Sequence, residues 1–133
     1  MNARAGIPAG FKGSLSKMIR QYVIPAIEDD LLVAEACSIW HSGAYLLETV
    51  PTVLFILAKY AHDPEAAILS AVNETKYNDT IAAIVGATVG ALHGQSKLPK
   101  RWIDGLSGRT GSTDDGRVFE LIDLATERFG YIP

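Results

Sequence analysis

Apolar residues along the chain recur at mixed spacings of three and four, and short polar or helix-breaking clusters cut that pattern into segments. Ser14 is placed to cap a first helix carrying Leu15, Met18, Ile19, Tyr22 and Val23, which Pro25 is expected to kink or end. Asp29-Asp30 supplies an acidic start for a second helix, Leu31 to about Trp40, and His41-Ser42-Gly43 reads as a break. A third helix is expected from about Val50 to Tyr60, with Thr49 as cap and Pro51 in its first turn. Asp63-Pro64-Glu65 starts a fourth, through a capping carboxylate, a proline at the first helical position and an acid favoured by the helix dipole. That helix ends near Asn73. A fifth runs from Thr80 to His93 and is closed by Gly94. A short amphipathic piece around Trp102 and Ile103 follows, then a loop marked by Gly105, Gly108 and Gly111. The last helix begins near Asp114-Asp115 and carries Val118, Leu121, Ile122, Ala125 and Phe129 on one stripe. No segment alternates with period two, so the expected fold is all-α, a compact bundle of six or seven helices with no sheet.

At 133 residues the chain suits one hydrophobic core, and its 48% hydrophobic and 20% charged composition is that of a globular protein. Residues 1–13, with three glycines, one proline and no periodicity, read as a flexible lead-in to a single helical domain over 14–133. The net charge is −3 and the lysines and arginines are scattered, which argues against a nucleic-acid partner. The longest apolar run, Val53 to Ala58, falls far short of the ~20 residues a membrane span requires. The single cysteine, Cys37, has no internal disulfide partner and reads as a buried thiol in a reducing compartment. A soluble cytoplasmic protein is expected.

Chemistry concentrates at the start of the fifth helix. Asp79 and Thr80 put a carboxylate beside a hydroxyl at a positive helix end. They either cap the helix or present oxygen ligands to a hard cation, and one carboxylate is too few for tight divalent binding without others. Gly86, Gly90 and Gly94 recur every four residues on one face. Interior helical glycines cost about 1 kcal/mol each relative to alanine, so close backbone packing is the expected return. His41, Glu48, His93 and Asp114-Asp115 each have a plain reading as helix ends, dipole partners or caps.

Ala71-Val72-Asn73, the loop, Asn78-Asp79-Thr80-Ile81-Ala82-Ala83-Ile84, Gly86-Ala87, Gly90-Ala91 and Gly94 closely resemble the C-terminal signature of the ADP-ribosylglycohydrolase family, a group that includes dinitrogenase reductase-activating glycohydrolases. Ser42 to Pro51, Leu98-Pro99 with Trp102, and Asp114 to Phe119 carry the same likeness, which covers about residues 31–129. The resemblance implies an all-α, metal-dependent hydrolase that cleaves the glycosidic bond between ADP-ribose and a modified protein side chain. It implies Mg2+, or Mn2+, held by Asp79 and Thr80, with Gly43 and Tyr45 near the adenosine end of the ligand and Asn78 shaping the loop. The implied partners are ADP-ribose or an ADP-ribosylated protein, with neither nucleic acid nor membrane. Two departures matter. Tyr77 stands where the family has a further metal-binding aspartate, and no Thr-Asp-Asp cluster precedes Leu31. The chain therefore looks like the C-terminal half of such an enzyme, needing a complementary N-terminal half or a second copy. The competing expectation is a non-catalytic helical module that binds ADP-ribose or a protein partner.

Overall fold

A computed structural model describes residue 11, residues 13–108, residue 113 and residues 115–130. Among these residues there are seven α-helices and no strand, in agreement with the all-α expectation. The chain divides into two compact units, Met1–Leu98 and Pro99–Pro133.

In the first unit, α1 is one continuous rod over 15–28, assembled from Leu15–Met18, a π turn at Ile19–Val23, and Ile24–Glu28. Ser14 caps it as expected, its hydroxyl accepting from the Lys17 amide at 3.2 Å. Pro25 does not end the helix. Its ring would crowd the carbonyl four residues back and it brings no N–H, and the π turn just before it re-spaces those carbonyls. Helix α2 is Val33–Trp40, whose Glu35 carboxylate reaches back to the Leu32 amide at 2.9 Å. Helix α3 is Leu46–Tyr60, beginning a turn earlier than the pattern suggests. Thr49 is not its cap but lies inside it, sending its hydroxyl back to the Gly43 carbonyl. Helix α4 is Pro64–Glu74, with Asp63 Oδ1 accepting from the Ala66 amide at 3.1 Å, as its start signal predicts. Helix α5 is Asn78–His93, ended by Gly94 at φ 79° and followed by a 3-10 turn at Gln95–Lys97.

The core of this unit gathers one face from each helix. Met18 and Val23 come from α1, Val33, Ala36 and Trp40 from α2, Phe55 and Ile56 from α3, and Ala67 and Ala71 from α4. From α5 come Ile81, Val85 and Val89, four residues apart and wholly buried. Burial of each such side chain stabilises the fold by roughly 1.5–3 kcal/mol, which ties the first turn of α5 firmly to the core. Trp40 and Phe55 meet edge to face, 5.7 Å between centroids. The glycines of α5 do not gain the expected close approach among the described residues. A Cβ added at Gly86 would meet only Ile68, at 3.8 Å, and one at Gly90 would meet nothing within 4 Å.

Phe11 packs edge-on against Tyr22, with centroids 5.8 Å apart, while residues 1–10 and 12 of the expected lead-in lie outside the described residues. The second unit holds α6, Lys100–Ile103, and α7, Val118–Phe129. Helix α7 starts after the expected Asp114-Asp115: Asp115 accepts from the Arg117 amide at 3.1 Å, and Asp114, like Gly111, lies outside the described residues. Its apolar stripe, including Leu121, Ile122 and Phe129, is exposed.

Candidate functional site

Two connections meet at the N-terminus of α5. The α2–α3 connection carries His41, Ser42, Gly43 and Tyr45, and the α4–α5 connection carries Thr75, Lys76 and Tyr77. Trp40 anchors the first from one side, its buried indole N–H donating to Thr52 Oγ1 of α3 at 3.1 Å. Thr52 in turn donates to the Glu48 carbonyl at 2.7 Å, and Thr49 donates to the Gly43 carbonyl at 2.7 Å. Between these anchors His41 is held at φ 60°, an uncommon conformation for a residue other than glycine.

The second connection is closed by its own side chains. Thr75 donates to the Ala71 carbonyl at 2.7 Å, and Asn78 Nδ2 donates to the Val72 carbonyl at 3.1 Å. Asn78 thereby spans the turn from α4 into α5. The two connections are joined by Ser42, which is only 1% exposed. Its carbonyl accepts from the Tyr77 amide and its hydroxyl oxygen from the Lys76 amide, both at 2.8 Å. Cys37 lies behind this joint as a buried free thiol. Burial pushes its pKa up, hydrogen bonds with Ser42 and Thr52 pull it back in part, and the Glu74 charge adds to the rise. It stays a neutral thiol.

The helix start differs by two residues from the expectation at Thr80. Tyr77 occupies the cap position, and Asn78, Asp79 and Thr80 form the first turn of α5. Asp79 is exposed. One carboxylate oxygen accepts from the Thr80 amide at 2.6 Å, and the other has no hydrogen-bond partner among the described residues. The carboxylate thus satisfies one first-turn amide while sitting on an exposed residue. Thr80 is half-buried beside it. Tyr45 is 69% exposed and Tyr77 43%, each on one of the two joined connections. Gly43 is half-buried, and a Cβ added there would run into Glu48 Oε2, so that carboxylate lies over the glycine. Gly43 and Tyr45 are thus brought to the same end of the unit as Asn78, Asp79 and Thr80 by the Ser42 joint.

The donor set suits a hard cation in kind, with one carboxylate and one hydroxyl oxygen, but not in number. Among the described residues no three acidic, histidine or cysteine side chains cluster closely enough to hold a metal ion. Tyr77 adds a neutral phenol at this turn. These residues alone do not fit a two-metal centre. In the sequence Ser42 reads only as part of a helix break, because a serine before a glycine is an ordinary turn signal. Its role depends on a partner 34 residues away, which local pattern does not reveal.

Comparison with known proteins adds one finding. The sequence model of the ADP-ribosylglycohydrolase family matches residues 4–130. No curated protein and no solved structure matches the chain.

Proposed function

Because this chain belongs to the ADP-ribosylglycohydrolase family, we propose that it handles ADP-ribosyl groups, as the ligand-holding part of a hydrolase for the N-glycosidic bond between ADP-ribose and a modified protein side chain. The observation that carries this reading is the exposed Asp79 carboxylate beside Thr80 on the first turn of α5, tied through Ser42 to the segment bearing Gly43 and Tyr45. In this reading Tyr45 offers its face to the adenine, and Gly43 carries no side chain that would collide with the Glu48 carboxylate lying over it. Asn78 sets the shape of the turn. Asp79 and Thr80 are the residues of this chain that would hold Mg2+ or Mn2+, which when bound would polarise and orient the ribose. Their two donors fall short of a divalent site, so further acidic ligands and the general acid belong to a complementary N-terminal half or a second copy. A cytoplasmic setting is part of the same proposal, supported by the buried free thiol of Cys37.

The short donor set and Tyr77 favour a second reading, a non-catalytic module that binds ADP-ribose or a protein partner. Calorimetry with ADP-ribose, with and without Mg2+, separates the two. The hydrolase reading predicts metal-dependent binding that Asp79→Ala abolishes. Binding indifferent to both Mg2+ and Asp79 supports an ADP-ribose-binding module instead, and no binding under any condition leaves only a protein-binding role.

A further inference from the structure

We propose that Ser42 is a positioning residue that locks the two ligand-facing connections into one rigid rim, fixing Tyr45 relative to Asp79 and Thr80 before any ligand arrives. The proposal rests on the reading above that both segments meet the ADP-ribosyl group. A single hydrogen bond between two loops leaves a pivot. Ser42 supplies two acceptors, carbonyl and hydroxyl, to two consecutive amides, those of Tyr77 and Lys76, and two bonds fix orientation as well as distance.

Ser42 is buried while Lys76 and Tyr77 are exposed, so the joint is shielded from the serine side, and an amide that loses its acceptor there loses its protein partner. Each connection is also braced from behind. The Thr49 hydroxyl holds the Gly43 carbonyl, and the Asn78 amide group holds the Val72 carbonyl. His41, immediately before Ser42, is kept at φ 60° against its own preference, and the bonds of Ser42 are the adjacent restraint that maintains it. Among the described residues the rim keeps exposed side-chain groups, including the Tyr45 ring and one Asp79 oxygen without a hydrogen-bond partner. A rim ordered in advance spares the ligand the entropy of ordering it, so the clamp contributes to affinity without touching the ligand.

The test is Ser42→Ala in the full chain, read by residue-resolved amide hydrogen exchange and by ADP-ribose titration. Loss of one buried acceptor should speed exchange at Lys76 to Thr80 on the order of tenfold, with Val85 and Val89 of the same helix unchanged. The ADP-ribose Kd should rise by a similar factor. Ser42→Cys, of nearly the same shape but a weaker acceptor, should fall between wild type and Ser42→Ala in both readouts and guards against a folding defect. Unchanged exchange at Lys76 to Thr80 overturns the proposal. So does a rise shared equally by Val85 and Val89, which would make Ser42 a general stability residue, or faster loop exchange with ADP-ribose affinity intact. If wild type binds no ADP-ribose while exchange responds as expected, the ligand assignment of the rim fails and the mechanical clamp stands.

Discussion

Replacing Thr52 by valine removes an oxygen from the middle of the fold while leaving its shape almost unchanged. Trp40 and Thr52 are each 1% exposed, and the Thr52 hydroxyl is the acceptor for the Trp40 indole N–H at 3.1 Å. Valine fills nearly the same volume, so no cavity term enters, and the main loss is the acceptor of the buried indole N–H, with the weaker hydrogen bond to the Cys37 thiol lost beside it. A buried donor left without an acceptor costs about 1–3 kcal/mol. The bond also lost to the Glu48 carbonyl, four residues back in α3, is a helix back-bond that adds little to stability. A destabilisation of about 2 kcal/mol is expected, or roughly 8 °C in Tm for a chain of this size. Urea and thermal unfolding followed by circular dichroism measure it, with Trp40→Phe completing a double-mutant cycle. Once the indole N–H is gone, Thr52→Val should cost little more, giving a coupling of about 1 kcal/mol or above. A Thr52→Val protein as stable as wild type, or two substitutions that simply add, would refute the claim that this bond anchors the α2–α3 connection.

Other expectations are narrower. Asp63→Ala removes the side-chain cap of α4 and should cost about 1 kcal/mol by chemical denaturation. Gly90→Ala places a methyl group in space that is open among the described residues and should raise stability by about 0.5–1 kcal/mol; a loss instead would reveal a surface that packs there. Lys59 holds the Asp30 carboxyl below its ordinary range, so the pair contributes above the unfolded-state pKa of about 3.9 and fades as pH falls through the lowered folded value. Asp30→Asn should therefore lower Tm modestly near neutrality and converge on wild type at acid pH, which flattens the acid limb of a Tm-against-pH curve. Because burial raises the Cys37 pKa, thiol-specific labelling at pH 8 should be slow in the folded protein and fast in denaturant; equal rates would place the thiol at the surface.

Much of the fold is legible in the sequence because its signals are local. The Asp63-Pro64 start of α4, the Ser14 cap of α1 and the Gly94 end of α5 all fall where side-chain chemistry next to the backbone puts them. The misjudged points depend on what lies elsewhere. Of the two readings of Pro25, kink or end, the π turn ahead of it leaves a local distortion and no end, and Thr49 reads as a cap until its hydroxyl is found on the Gly43 carbonyl. The glycines of α5 suggest tight packing by their spacing alone, yet Gly90 faces open space among the described residues. At the candidate site, Asp79 and Thr80 stand out as a carboxylate and a hydroxyl at a helix start. The serine that joins their helix to the α2–α3 connection does not, since a tertiary bond leaves no mark on residue spacing.

The central claim is that the α2–α3 connection and the first turn of α5 form one ligand-facing surface. Titrating isotopically labelled protein with ADP-ribose and following its amide resonances tests that claim directly. The largest shifts should fall together on Gly43, Tyr45, Asn78, Asp79 and Thr80, with the buried Val85 and Val89 little moved. Shifts confined to α1 or to α7, or a spectrum that ADP-ribose leaves unaltered, would contradict it.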